Sequence, residues 1–118
     1  MDRLTSMAVL YVMCVMVDGE VTKDECNECC KCLCEYHGVE PDVALSAWEA
    51  AWKAVADCTD WVSLMETSCS NLGDFNDEMK ASVVADLCRI ATADGTVHSH
   101  EGVHVAAVAS ELGVAIEA

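Results

Sequence analysis

The chain has 118 residues, 53% of them apolar, with one proline, and no stretch rich in Gly, Ser or Pro reads as a flexible linker; this is room for one domain, residues 1–118, around one core. Six Lys and Arg stand against 21 Asp and Glu, a net charge of −15, which excludes nucleic acid and anionic membranes as partners because phosphate neutralisation needs clustered cations. Cations and proteins stay open.

In chain order the sequence predicts about six to seven helices and no sheet, since no segment sustains period-two alternation. The first helix starts at Asp2 or Thr5 and runs to Val17. Its apolar run, Met7 to Val17, spans eleven residues, against the ~20 needed to cross a bilayer, so it is expected as a buried helix without membrane insertion. Asp2 beside Arg3 and the abrupt Asp18-Gly19-Glu20 are unlike a signal peptide, and nine cysteines in an unsecreted chain stay reduced. A cytoplasmic location follows as an expectation.

Thr22 and Glu25 have capping-box spacing, hydroxyl to the third amide and carboxylate back to the first, and open a second helix that ends at Gly38. Pro41 begins a third helix to about Ala56, with Leu45, Trp48, Trp52 and Val55 at helical spacing. Asp57 to Asp60 breaks the chain before a fourth helix, Trp61 to about Leu72. Asn76 or Asp77 caps a fifth with Met79, Val83, Leu87 and Ile90 on one stripe, and a sixth runs from Ser99 to Leu112 with Val105, Val108, Ala109 and Leu112 inward.

Two of these hairpins are copies. Asp18-Gly19-Glu20-Val21-Thr22-Lys23-Asp24-Glu25 recurs 76 residues later as Asp94-Gly95-Thr96-Val97-His98-Ser99-His100-Glu101, both reading D-G-x-V-x-x-x-E. Upstream, Met7, Ala8, Tyr11, Val12, Cys14 and Val15 align with Val83, Val84, Leu87, Cys88, Ile90 and Ala91; downstream the copies end in Gly38-Val39 and Gly113-Val114. The expected fold is all-α, a single-domain bundle built from a duplicated helical hairpin.

The turns carry the best candidate site. With Asp18 or Asp94 at position 5 of an EF-hand loop, the second half of that loop follows: glycine next, valine three on, glutamate seven on. The first half is missing, since Cys14 and Met16, or Ile90 and Thr92, stand at positions 1 and 3 and none of them is a carboxylate. Neither turn alone should hold calcium, whereas two facing half-sites joining Asp18, Glu25, Asp94 and Glu101 have carboxylates enough. Capping fits the same residues: Asp before Gly accepts turn amides, and Glu in a first turn suits the helix dipole.

These motifs also carry a resemblance. Paired A-D-G-x-[IV]-x-x-x-E turns joined to helices ending in L-G-[LV] are similar to the TerB-like family, named for tellurite resistance proteins. The likeness is carried by Val17 to Glu25, by Ile90 to Glu101, and by Glu111-Leu112-Gly113-Val114, with Val17 where the family prefers alanine. It implies an all-helical fold, an acidic metal-binding patch formed by Asp18, Glu25, Asp94 and Glu101, and a stress or tellurite response at the inner membrane face or with partner proteins.

Cys26, Cys29, Cys30, Cys32 and Cys34 crowd one helix beside His37. Three or four thiolates on one face suit zinc or copper(I), but a single straight helix does not wrap four corners of a tetrahedron. Cys26, Cys29, Cys30 and Cys34 are therefore expected as core residues beside Leu33, with Cys32 facing solvent, and Cys14, Cys58, Cys69 and Cys88 are expected to be buried. His100-Glu101-Gly102-Val103-His104 matches H-E-x-x-H, yet a small duplicated bundle lacks the third ligand and cleft of a zinc protease, so a surface histidine pair is expected. The sequence thus points to a non-enzymatic acidic module that binds a divalent metal, calcium foremost, and associates with a protein partner. Two alternatives stay beside it: a pure interaction module using Trp48, Trp52 or Trp61, and soft-metal binding by the Cys26–Cys34 helix.

Overall fold

A computed structural model describes residues 1–17, 19, 21–93, 95 and 99–115, Tyr36 by its backbone alone. Six α-helices follow one another, α1 (Arg3–Met16), α2 (Lys23–Lys31), α3 (Pro41–Ala56), α4 (Trp61–Asn71), α5 (Asp77–Ala91) and α6 (Ser99–Leu112), with a π-helical turn over Cys32–Tyr36 continuing α2. No strand occurs among the described residues. No described helix is long and apolar enough to cross a membrane.

Helix starts follow from short polar side chains that accept the first free amides. Asp2 accepts from the Thr5 amide at 2.7 Å, Asp60 from Ser63 at 3.1 Å and Asn76 from Met79 at 2.8 Å. Pro41 opens α3, where its missing N–H costs nothing.

α1 is buried on every side from Ser6 to Val15, as expected of a helix apolar all round. α3, α4, α5, α2 and α6 all pack on it. α5 is its repeat partner yet buries only one face, so Cys88, aligned with buried Val12, is exposed. The second helix of each hairpin packs on the first helix of the other, α2 on α5 and α6 on α1, the reciprocal contact that a duplicated hairpin makes when it pairs with itself.

Four expectations are corrected. On α3 the inward stripe is Ala44, Ala47, Ala51 and Val55, while Leu45 is 51% exposed and Trp48 and Trp52 are half-buried. Small side chains let α3 approach α1 closely, which turns the bulky residues to its flanks. Cys32 is buried rather than solvent-facing, and Cys26, Cys30 and Cys34 are the half-exposed ones, because the core needs Cys29 and Cys32 beside Leu33. Among the scattered thiols, Cys14 and Cys69 are buried, Cys58 is half-exposed and Cys88 exposed. His104 is buried on α6 against α1, whereas His100 is exposed, so the two do not form a surface pair.

Candidate functional site

The repeated turns have repeated backbone geometry. Gly19 and Gly95 both adopt left-handed φ, 79° and 85°, a conformation costly to any residue with a Cβ. Each closes the preceding helix in the same way: the Gly19 amide donates to Met16 O at 3.0 Å and the Gly95 amide to Thr92 O at 2.9 Å. Asp18, Asp94 and His98 lie outside the described residues.

Glu25 and Glu101 are described, and both are fully buried in the first turns of α2 and α6. Around Glu25 the capping box takes a modified form. The Glu25 amide donates to the Thr22 hydroxyl at 3.1 Å, and that hydroxyl donates to Glu25 Oε1 at 2.8 Å. Glu25 Oε2 is buried without a hydrogen-bond partner among the described residues. No Lys, Arg or His forms an ion pair with Glu25 among those residues. Sealing a carboxylate from water with one oxygen unsatisfied costs about 1–3 kcal/mol or more. Simple capping at a solvated helix end carries no such cost. No group of three or more His, Cys, Asp or Glu among the described residues is arranged to hold a metal ion.

The H-E-x-x-H spacing is used structurally. His104 Nε2 lies 3.0 Å from the Leu10 carbonyl oxygen; a carbonyl only accepts, so Nε2 carries the proton and is not free to bind metal. Burial pushes His104 below the usual histidine range, which keeps the ring neutral.

A second polar cluster escaped the sequence reading. Asp86 is fully buried on α5. Its Oδ2 accepts from the Tyr11 hydroxyl at 2.5 Å and lies 2.6 Å from His37 Nε2, while Oδ1 accepts from Arg89 at 2.6 Å. Burial and the Asp86 charge drive the Tyr11 hydroxyl well above its ordinary range, and burial followed by Asp86 pushes the Cys32 thiol up to about 12. The one signal in the sequence was an acid inside an apolar stripe, Val83-Val84-Ala85-Asp86-Leu87, where the aligned residue of the first copy is Leu10.

A family model described as Tellurite resistance protein TerB matches residues 4–118. The chain belongs to the TerB family. No curated protein and no solved structure matches it. The all-helical bundle and the paired turns are thus those of a TerB domain spanning essentially the whole chain.

Proposed function

We propose that this TerB domain is a non-enzymatic acidic module that holds a divalent cation, calcium foremost, between its paired turns, with Asp18, Glu25, Asp94 and Glu101 as ligands. The observation that carries the reading is the Glu25 carboxylate, fully buried with Oε2 unpartnered among the described residues. A hard cation supplies what that oxygen lacks and offsets the charge at the same time. The equivalent burial of Glu101 and the matching left-handed glycines fit two half-sites that share one ion.

The module serves protein association in a cytoplasmic stress response of the tellurite-resistance type. Its association surface is the groove of about 210 Å³ between α4 and α6, lined by Trp61, Val62, Met65, His100 and Val103. Val62 is 64% and Val103 69% exposed, more apolar surface than a solvated helix pair needs. With a net charge of −15, the complementary partner is apolar at its centre and basic at its rim.

Calorimetric titration of chelator-treated protein with calcium tests the metal reading, beside the double variant Asp18→Asn, Asp94→Asn. Heat in the parent that vanishes in the still-folded variant supports a shared acidic site. Absence of heat with calcium, magnesium and manganese reduces the turns to caps and leaves the pure interaction module.

A further inference from the structure

The cysteine-rich helix gives Glu25 to the proposed acidic site but none of its thiols, and those thiols divide by direction. Cys29 and Cys32 turn to the core, while Cys26, Cys30 and Cys34 are half-exposed, and all five are free. A stripe spaced by whole helical turns spreads three sulfurs along an axis rather than around a point, which is why no group of three converges among the described residues. Two sulfurs one turn apart remain close. α2 is regular from Lys23 to Lys31, so Cys26 and Cys30 share a face with Cβ atoms about 5–6 Å apart.

Cys26 also forms one wall of a cavity. Trp48, Glu49, Trp52 and Lys53 of α3 complete it, and it is an open cleft of about 370 Å³. The two indoles lie 5.6 Å apart between ring centroids at 41°, leaving aromatic surface open at the thiol. Such a surface suits a flat apolar group attached to whatever the thiols hold.

We propose that Cys26 and Cys30 form a two-thiol clamp for a trivalent soft centre of the organoarsenic(III) class, whose aryl group lies in the cavity walled by Trp48 and Trp52. Condensation with an aryl-As(OH)2 group consumes the thiols as such. Two As–O bonds break and two As–S bonds form; the thiol protons leave with the two hydroxyls as two molecules of water. Arsenic stays trivalent, and nothing is oxidised or reduced. The clamp is independent of the acidic turns and stands or falls apart from them.

The test is titration of the reduced full-length chain with hydrated phenylarsine oxide, followed by tryptophan fluorescence, intact mass and thiol count. The expected result is a one-to-one adduct that consumes two thiols and quenches the indoles. Cys26→Ser and Cys30→Ser should each weaken binding by about 100-fold or more, as when one arm of a chelate is lost. Cys34→Ser should bind as the parent does. Trp52→Leu should weaken the phenyl compound while leaving inorganic arsenite unchanged. All four positions are half-exposed, and circular dichroism checks that the variants fold. Parent-like binding in either Cys26→Ser or Cys30→Ser overturns the clamp. Loss of the adduct in Cys34→Ser overturns the assigned pair, and an unaltered phenyl preference in Trp52→Leu overturns the place given to the aryl group.

Discussion

Tyr11 on α1 donates its hydroxyl to Asp86 on α5 at 2.5 Å, and the same carboxylate holds His37, just beyond the π-helical turn, and Arg89. One buried acid therefore ties together both hairpins of the repeat. Tyr11→Phe conserves the ring but removes a donor, and should cost about 1–3 kcal/mol. Asp86→Ala leaves His37, Arg89 and Tyr11 without their shared acceptor and should cost about 3–5 kcal/mol. Urea unfolding measures both. A Tyr11→Phe midpoint equal to that of the parent would mean that His37 and Arg89 alone hold the acid.

His104 makes stability depend on pH in a defined direction. Burial lowers its folded value below the ordinary 6.5, so the unfolded chain binds the proton more readily than the folded one. Its contribution is complete above the unfolded value and is lost as pH falls from about 6.5 through the folded value. Denaturant midpoints should therefore drop between neutral and mildly acidic pH, and the drop should shrink in His104→Gln. An equal drop in the two proteins would place the acid sensitivity elsewhere.

Thiol labelling should resolve the nine cysteines by burial. In the native protein a disulfide reagent should modify exposed Cys88 first, then the half-exposed Cys26, Cys30, Cys34 and Cys58 more slowly. Cys14, Cys29, Cys32 and Cys69 are buried and should react only on unfolding, Cys32 being held protonated by its value of about 12. Site-resolved mass spectrometry over a labelling time course reads the order. Early modification of Cys29 or Cys32 would contradict the packing of α2.

The contact of α3 with α1 should tolerate change on one side only. Ala51 is fully buried against α1, so Ala51→Leu overpacks the contact and should cost about 1–3 kcal/mol. Leu45 is 51% exposed, and Leu45→Ala should stay within about 0.5 kcal/mol of the parent. Thermal melts of the two variants compare them directly. The reverse ranking would restore the stripe of large side chains that the sequence suggested.

Much of this architecture is legible in the residues because its causes are local. Asp2, Thr22, Asp60 and Asn76 cap through their own side chains, and Gly19 and Gly95 turn through their own φ, so element order and repeat could be read directly. Which way α3 faces depends on how near α1 allows it to come, a tertiary fact that favours Ala47 and Ala51 over Leu45 and is invisible to spacing alone. Cys32 was misplaced for the same reason, since its inward turn depends on how the start of the π-helical turn packs on the core beside Cys29 and Leu33. The acidic site was half legible. The motif named Glu25 and Glu101, but not that both are sealed from water, which depends on how the helices pack over their first turns.

The most direct test of the metal reading is the melting temperature of chelator-treated protein with and without calcium, run beside Glu25→Gln. A cation that binds only the folded chain stabilises it by about 2.7 kcal/mol at a hundred times its dissociation constant, a shift of several degrees for a domain of this size. That rise is expected in the parent and its loss in Glu25→Gln, whose neutral amide no longer supplies a charged ligand. Superimposable curves for the parent with and without calcium, magnesium or manganese would contradict it.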